Sequence, residues 1–405
     1  MMPLKNLLYL FQLEEYNSRR FDDWLGRNPN RVVVEKKGRL NWTPKARLLF
    51  VLAGTLNVFT LGQRADAALK AAAVILLPVD ILLKNLLVWR ARCKLNKVKN
   101  LTIIGITGSY GKTTTKDVLA HILMPKYRLL KTEENYNTLL GVAKTVNQNL
   151  KPDHELFIVE MAAYQIGDIK AITEFLKPKI GIITAIGPMH LERFSLLENI
   201  LKTKMELIEA LPPEGFGFLP SELEPQINNF KIKTKIAFFA SKEELLLKIT
   251  AFFDISADET LGRIKTAPPT PHRQQVFKTS ANITIIDDTY NSNPDGFMSA
   301  LNVLSNTNAE RKILVTPGMI ELGIKQFELN KNAAKIAAQI ADYIIIIGET
   351  NKKALKEGLR EEFKNDYVRR VYEAADLESA KSKLSELAIA GSAVLLENDL
   401  PDHYF

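Results

Sequence analysis

Cysteine is almost absent from this sequence of 405 residues, which contains only Cys93. A single cysteine cannot form an internal disulfide, which is consistent with a reducing compartment. It also excludes a cysteine-rich zinc site. Low-complexity tracts and obvious internal repeats are also lacking, and 46% hydrophobic with 25% charged residues is the composition of a folded protein. The length exceeds what one ordinary core needs, and it predicts two or three domains.

Acidic residues are rare in the first 99 positions, where 18 lysines and arginines stand against 7 aspartates and glutamates. This segment carries a net charge of +11, whereas the rest of the chain is close to neutral at −3. A basic segment on a nearly neutral body predicts contact with an anionic surface, either membrane lipid or nucleic acid. Aromatic residues are seldom interleaved with the basic ones, which argues against nucleic acid.

Two apolar runs lie within the basic segment, and neither reaches the roughly 20 residues that comfortably span a bilayer. Leu48–Gln63 contains no charged residue, and Ala71–Leu83 contains only Asp80. Basic residues flank the pair on both outer sides, namely Lys45, Arg47, Arg90, Arg92, Lys94, Lys97 and Lys99. We therefore expect residues 45–99 to associate with the cytoplasmic face of the cell membrane as a hairpin that turns near Gly62–Asp66. An interfacial hairpin, two true crossings and a buried helical pair of a soluble cytoplasmic protein remain open.

After residue 99, short apolar runs alternate with amphipathic helical patterns, which predicts an α/β fold. Strands are expected at Leu101–Thr107, Leu156–Glu160 and Ile180–Ala185, and helices at Lys112–Leu123 and Leu196–Ala210. These elements predict a central domain with a mostly parallel sheet over residues 100–273.

The proline-rich stretch Ala267–Pro271 is typical of an interdomain linker. Further strands are expected beyond it, at Ile283–Ile286, Lys312–Val315, Tyr343–Ile347 and Ala393–Leu396. This second series predicts a smaller, Rossmann-like α/β domain over residues 274–405. The helical, hydrophobic segment 1–99 precedes both domains.

A strand, a glycine-containing turn and a helix meet at Thr107-Gly108-Ser109-Tyr110-Gly111-Lys112-Thr113-Thr114. In such a loop, backbone amides converge on phosphate oxygens and the helix N-terminus adds a favourable dipole. Lys112 would neutralise the charge of the β- and γ-phosphates, and the Thr113 hydroxyl would hold Mg²⁺. Ile106 occupies the place of the first glycine in the common G-x-x-x-x-G-K-[ST] pattern, and Gly108 lies inside the loop instead.

This T-G-S-x-G-K-T-T form resembles the loop of the Mur ligases of cell-wall peptide synthesis. Segments similar to other motifs of that family follow in the family's order: Asn135-Tyr136-Asn137 with Gly141, Val159-Glu160-Met161-Ala162, Met189-His190-Leu191-Glu192, Lys202-Thr203-Lys204-Met205-Glu206, His272-Arg273, Asp287–Pro294 and Pro317–Gly323. The resemblance extends from about Asn100 to near the C-terminus. It is greatest to the branch that adds D-alanyl-D-alanine to a UDP-N-acetylmuramoyl tripeptide.

The resemblance implies an ATP-dependent amide ligase that acts through an acyl phosphate in peptidoglycan precursor synthesis. It implies that Thr113, Glu160 and His190 bind Mg²⁺, and that a carbamylated Lys204 braces the metal site beside Lys112. The residues it assigns to ATP are Gly108, Ser109, Tyr110, Gly111, Lys112, Thr113, Thr114, Asn137, Arg273, Asp288, Tyr290 and Asn291. Thr113 and Glu160 offer the oxygen ligands that Mg²⁺ prefers. Without the resemblance, a lysine such as Lys204 on an amphipathic helix is expected to be solvated.

Two segments depart from the family pattern. Residues 1–99 do not resemble the domain that grips the uridine nucleotide, and Glu397–Asp402 stands where the family usually has a basic segment with glycine and serine. The acceptor could thus be the UDP-muramoyl tripeptide or a lipid-linked or polymeric substrate, with an amino acid or dipeptide as the amine. Alternatives are another Mur-type ligase, similar to a poly-γ-glutamate synthase, and a non-catalytic membrane scaffold for cell-wall enzymes.

Overall fold

The computed structural model describes residues 2–29, 32–33, 38–59, 65–133, 136–188, 191–194, 196–290, 292–398 and 400. The chain divides into two compact units, Met1–Leu86 and Leu87–Asp399, and the first unit also includes Leu400. The boundary at Leu86 falls inside a continuous helix. Each unit has its own hydrophobic core, as described below.

The first unit is helical, as the sequence predicts. Its helices are α1 Leu4–Leu13, α2 Ser18–Arg27, α3 Pro44–Phe59 and the first part of α4, which spans Ala65–Leu95. Asn17 caps α2 by accepting a hydrogen bond from the Arg20 amide at 3.1 Å. Fully buried side chains from all four helices form the core, including Leu8, Phe21, Leu49 and Leu69.

Helix α4 is much longer than the apolar run Ala71–Leu83 from which it was predicted. It has 31 residues and continues through Lys84, and Asp80 forms ion pairs with Lys84 at 2.8 Å and with Lys45 of α3 at 3.0 Å. Among the described helices it alone is long and apolar enough to cross a membrane, with a mean hydropathy of 2.1 over 18 residues, of which 6% are buried. The two charges that interrupt the apolar run therefore do not end the helix.

The second unit contains two sheets, and the first is fully parallel with strand order β2-β3-β1-β4-β5-β6. The strands are β1 Thr102–Thr107, β2 Leu129–Lys131, β3 Leu156–Glu160, β4 Ile180–Ile183, β5 Phe216–Pro220 and β6 Lys235–Phe239. The helices are α5 Lys112–Leu123, α6 Leu139–Asn149, α7 Asp168–Leu176, α8 Leu191–Phe194, α9 Leu197–Glu209, α10 Lys242–Ala251 and α11 Ala257–Thr266. Helices cover both faces, so the strands are continuous apolar runs without alternation.

The second sheet has the order β11-β10-β9-β12-β8-β7, with β7 as an antiparallel edge. Its strands are β7 Gln275–Lys278, β8 Thr284–Asp288, β9 Arg311–Thr316, β10 Tyr343–Ile347, β11 Val371–Ala374 and β12 Ser392–Glu397. Its helices are α12 Pro294–Asn306, α13 Gln326–Ile340, α14 Lys352–Phe363, α15 Tyr367–Arg370 and α16 Leu377–Leu387. The expected α/β class, with two layered sheets after a helical N-terminal segment, is confirmed.

Several predicted strand ends differ from the structure by one or two residues, and β4 is the case that bears on the loop. The sequence extends the third strand to Ala185, but β4 ends at Ile183. Thr184 and Ala185 turn toward the glycine-containing loop instead. The Thr184 hydroxyl donates to the Tyr110 carbonyl, and the Ala185 carbonyl accepts from the Ser109 amide at 2.8 Å. These two residues therefore support the loop.

Candidate active site

The loop between β1 and α5 depends on two glycines. Gly111 has a φ of +78° and Gly108 a φ of +151°, both in the region that favours glycine. A Cβ on Gly108 would lie 2.0 Å from the Thr184 hydroxyl oxygen, so no side chain fits there. The backbone can therefore approach the end of β4 closely, and the loop leads directly into the N-terminus of α5, a position that favours anions.

Lys112, the first residue of α5, folds back over this loop. Its ammonium donates to the carbonyls of Gly108 at 2.7 Å and Ser109 at 3.4 Å. Burial lowers its pKa to about 8, the nearby charge of Glu160 raises it, and Arg273 lowers it. The ammonium is thus held against the carbonyls of the loop.

Glu160 ends β3, directly beside β1, and its carboxylate is almost fully buried. It accepts from Asn137 at 3.2 Å and pairs with Lys116 at 3.3 Å. Burial raises the pKa of Glu160, but the charges of Lys112 and Lys116 and hydrogen bonds from Asn137 and Thr113 outweigh it, so the net pKa is below the ordinary value. The carboxylate is kept ionised beside the first turn of α5.

Lys116 was not singled out from the sequence, although it lies one helical turn after Lys112. Its side chain is 1% exposed and contacts Glu160. Spacing of i and i+4 puts both lysines on the same face of α5, where that face meets β3. Two features of the sequence could have indicated Lys116: its position four residues after Lys112 and the glutamate that ends β3.

Lys204 lies on the inner face of α9 and is 5% exposed, so the expectation of a solvated lysine is wrong. The helix packs tightly on β1, since a Cβ on Gly105 would lie 2.8 Å from the Leu207 side chain. Burial lowers the pKa of Lys204 to about 7, Lys112 lowers it further, and Glu206 and Asp168 oppose the shift. The amine is thus substantially neutral near pH 7, within electrostatic reach of Lys112.

A second group of predicted residues lies where the second sheet begins. The Arg273 guanidinium lies 4.0 Å from the centroid of the Tyr290 ring. Asp288 ends β8, and its carboxylate accepts from the Gln274 amide at 3.2 Å. Burial raises the pKa of Asp288 to about 6, although the Gln274 hydrogen bond and the Arg273 charge lower it. Because Arg273 also perturbs Lys112, this group lies within electrostatic reach of the loop.

Asp295 is a further contact that was not predicted from the sequence. It lies in the first turn of α12, and a Cβ on Gly187 would be 2.2 Å from its carboxylate and 3.5 Å from the Tyr110 ring. Burial raises the pKa of Tyr110, and the Asp295 charge raises it further. The start of α12 therefore packs against the phosphate loop of the first sheet.

Two family models match consecutive parts of the chain. The Mur ligase middle domain matches residues 106–282, and the Mur ligase glutamate ligase domain matches residues 272–397. The chain belongs to the Mur ligase family. The matched residues include the loop, Glu160, Lys204 and the Asp288 group.

Curated Mur ligases named UDP-N-acetylmuramoyl-tripeptide--D-alanyl-D-alanine ligase are similar to this chain. The one from Synechocystis is 29% identical over 273 residues, which cover 58% of each chain. The one from Bacillus subtilis is 26% identical over 336 residues, covering 73% of this chain and 72% of the relative. The match to the Synechocystis enzyme thus spans little more than half of that protein.

Solved Mur ligase structures share the fold. MurF from Acinetobacter baumannii has a TM-score of 0.69 at 21% identity, covering 78% of this chain and 77% of that one. MurF from Thermotoga maritima in complex with ADP has a TM-score of 0.68 at 22% identity, covering 78% and 80%. At these identities the likeness concerns the fold of the Mur ligase domains.

Several residues that the Mur ligase resemblance assigns cannot be placed. His190 and Asn291 lie outside the described residues, as do Met189 and Asn135. Within the described part of the chain, no group of three or more histidine, cysteine, aspartate or glutamate side chains could hold a metal ion. Thr113 and Glu160 are the predicted oxygen donors that the fold brings together, and they suit a magnesium ion chemically.

The C-terminal departure from the Mur ligase pattern is partly visible. Glu397, the last residue of β12, is fully buried and accepts from the Thr316 hydroxyl at 2.9 Å and from the Ser292 hydroxyl. It pairs in register with Asp288 of β8. Burial raises the pKa of Glu397 to about 8, and Asp288 raises it further against the two hydroxyl hydrogen bonds. Where the family usually has a basic segment, this chain thus buries a carboxyl group.

Proposed function

We propose that this protein is an ATP-dependent amide ligase that joins D-alanyl-D-alanine to a UDP-N-acetylmuramoyl tripeptide. The observation that carries the proposal is the grouping of Lys112, Thr113, Lys116 and Glu160 under one glycine-containing loop. The names of the similar curated ligases support the choice of substrates.

The chemistry requires two transfers. A carboxylate oxygen of the acceptor attacks the γ-phosphorus of ATP, the bond to the β-phosphate oxygen breaks, and ADP leaves. The amine then attacks the acyl carbon, the carbon–oxygen bond to phosphate breaks, and the amine loses a proton. The first transfer brings two anions together, so it needs concentrated positive charge and in-line positioning. Lys112 and the loop amides supply both at the phosphates.

We assign the metal-binding role to Thr113 and Glu160, with His190 and Lys204 as further ligands from the family resemblance. Mg²⁺ at this site would supply positive charge to the transferred phosphoryl group. A buried lysine with a pKa of about 7 presents a neutral amine, the form that reacts with carbon dioxide. Carbamylation would convert Lys204 into an anionic oxygen donor. A Lys204→Ala variant that loses activity and regains it with small carboxylates supports this role, and one that stays fully active contradicts it.

For the nucleotide we assign the loop residues 108–114 to the phosphates, with Asn137 orienting Glu160. Arg273, Asp288, Tyr290 and Asn291 would contact the rest of ATP from the second sheet. The approach of the Arg273 group and of Asp295 to the loop supports a nucleotide that contacts both sheets.

Phosphate release tests the proposal. Purified full-length protein is given Mg-ATP with both UDP-muramoyl tripeptide and D-alanyl-D-alanine, and then with each alone. Release that requires both substrates is the expected result. Release with glutamate or another amine instead would favour a ligase with a different acceptor, and ATP binding without release under any condition would favour the scaffold.

We place the reaction in the cytoplasm, where ATP and UDP-linked precursors are available, and at the inner face of the cell membrane through residues 45–99. The exposed apolar surface of α4 supports the membrane part of this location. The acceptor itself is taken to be soluble.

A further inference from the structure

The outward faces of α3 and α4 are apolar, which is the reverse of an ordinary surface helix. On α3, Leu48, Val51 and Val58 are 56%, 64% and 74% exposed. The opposite face of α3 carries Leu49 and Ala53, which are fully buried in the core of the first unit. The helix therefore has two apolar faces, and the core covers only one of them.

Helix α4 adds a second exposed stripe. Ile75, Val79, Leu82, Leu86 and Trp89 recur at intervals of four and three residues, and each is at least 47% exposed. This spacing puts all five side chains along one line of the helix, and other apolar side chains of this helix are also at least 47% exposed, namely Val74, Leu77, Ile81 and Leu83. Contiguous exposed apolar surface of this extent marks an interaction site.

The charges of this region lie away from the stripe. The Asp80 carboxylate is 19% exposed and accepts from Lys45 of α3 and from Lys84, so the ion pairs are on the side of α4 that meets α3. The Asp80 carboxylate thus has two partners of opposite sign. The stripe can therefore enter an apolar environment without carrying an unpaired carboxylate with it.

The length of the exposed section limits how it can meet a bilayer. Ala72 is fully buried in the core of the first unit and Ala91 in the core of the second. The section between Val74 and Trp89 is about 24 Å long at the α-helical rise. The hydrocarbon core of a bilayer is about 30 Å thick, so this section is too short to cross it upright.

Basic and aromatic residues border the stripe. Trp89 is 61% exposed, and Arg90, Arg92, Lys97 and Lys99 follow it along the chain. Tryptophan prefers the level of the lipid headgroups, and arginine and lysine attract anionic lipids. The C-terminal end of the exposed section therefore carries groups that suit an anionic headgroup region.

We infer that α3 and α4 form a docking surface for an anionic phospholipid bilayer and that they lie along one leaflet without crossing it. The exposed leucines and valines enter the acyl chains, Trp89 lies among the headgroups, and the basic residues contact lipid phosphates. This deepens the membrane location proposed above, and it does not depend on ligase activity.

Vesicle flotation tests the docking surface. Full-length protein is mixed with vesicles of phosphatidylcholine alone or with equal phosphatidylglycerol. We expect binding to the anionic vesicles that weakens with salt, and about tenfold weaker binding for a Leu82→Gln/Leu86→Gln variant. The matched control is Val368→Gln, which removes an 80% exposed valine from α15 and should bind like the wild type. Equal binding of the double variant and the wild type overturns the inference.

The same variants separate lipid from a second copy of this chain. If the stripe is a protein interface, the wild type is a dimer in size-exclusion chromatography with light scattering, the Leu82/Leu86 variant is a monomer, and neither floats. That result overturns the lipid assignment. Phosphate release measured on the same samples shows separately whether the ligase proposal holds.

Depth of insertion tests the orientation. A Leu82→Trp variant places a fluorophore at the middle of the stripe. The quenching of tryptophan fluorescence by brominated lipids is measured for this variant and for the wild type, and the difference reports on position 82. Stronger quenching by bromine near the headgroups is expected for a helix that lies in one leaflet. Stronger quenching by bromine at the acyl-chain ends would mean that α4 crosses the bilayer, and it would overturn the in-plane arrangement.

Discussion

Two regions of this chain reverse the ordinary distribution of polarity, in opposite directions. On α3 and α4, leucines and valines face outward while Asp80 and its lysine partners lie between the helices. Around the phosphate loop, Lys112 and Lys116 are 9% and 1% exposed and share the carboxylate of Glu160, although lysine is almost never fully buried. Exposed apolar groups and buried cations each raise the free energy of the isolated protein. Each reversal therefore indicates a binding partner, apolar for the first region and anionic for the second.

The largest effect is expected where a buried cation meets the substrate. Lys112→Ala removes the ammonium that the proposal places at the phosphates, so we expect phosphate release to fall by about 1000-fold or more. Steady-state phosphate release with both substrates measures it. The matched control is Lys248→Ala, which removes a lysine that is 41% exposed on α10 and should change the rate by less than about twofold. A Lys112→Ala enzyme that retains a tenth of the activity would contradict the assigned role.

A smaller effect is expected for the buried pair under the loop. Lys116→Met removes the ammonium that pairs with the Glu160 carboxylate at 3.3 Å, and breaking a buried ion pair costs about 3 kcal/mol of stability. Urea unfolding measures the change. A Lys116→Met/Glu160→Leu double variant should recover most of the stability and none of the ligase activity. Equal stability of the single variant and the wild type would show that Lys116 does not stabilise Glu160.

A pH-dependent effect is expected from the buried carboxyl group of the second sheet. Glu397 has a folded pKa of about 8 against an ordinary value of 4.5, so the folded state holds a proton that the unfolded state releases between these pH values. Its contribution to stability is therefore complete below pH 4.5 and is lost as the pH rises to 8. Glu397→Gln keeps an uncharged group there.

We compare the free energy of unfolding of Glu397→Gln with that of the wild type. We expect this difference to shift in favour of the variant by on the order of 2 kcal/mol between pH 5 and pH 8. Urea unfolding at both pH values measures it, with Glu386→Gln on the exposed side of α16 as the control. A difference that is the same at both pH values would mean that Glu397 is ionised throughout.

Local patterns were enough to predict much of the second unit. The loop and α5 follow from adjacent residues, and buried strands such as β3 and β10 are unbroken apolar runs. Strands β2, β5, β6, β7 and β11 were missed; β2 has only three residues, and Val276 and Phe277 of β7 are exposed. Such strands are fixed by their neighbours in the sheet, and their own sequence carries little signal.

The site was predicted mainly through the family resemblance. What was missed depends on long-range contacts that the sequence pattern does not contain. Lys116 gains its role only when β3 lies beside β1, a long-range pairing that spacing along α5 does not contain. The burial of Lys204 likewise depends on the close packing of α9 at Gly105. In α4 the charge of Lys84 interrupts the apolar pattern, but lysine is a good helix former and pairs with Asp80, so the helix continues. The roles of His190 and Asn291 stay predictions.

The smallest effect is expected when a residue of the α3 and α4 surface is changed and the activity assigned to the phosphate loop is measured. Leu82→Gln changes a side chain that is 67% exposed, and substitution of exposed residues usually alters stability by less than about 0.5 kcal/mol. Phosphate release in solution should stay within about twofold of the wild type, since no step of the ligation uses α4. The measurement is made without lipid and then with anionic vesicles. A large loss of activity in solution would mean that Leu82 stabilises the fold, because a side chain that serves only lipid contact has no effect until lipid is present.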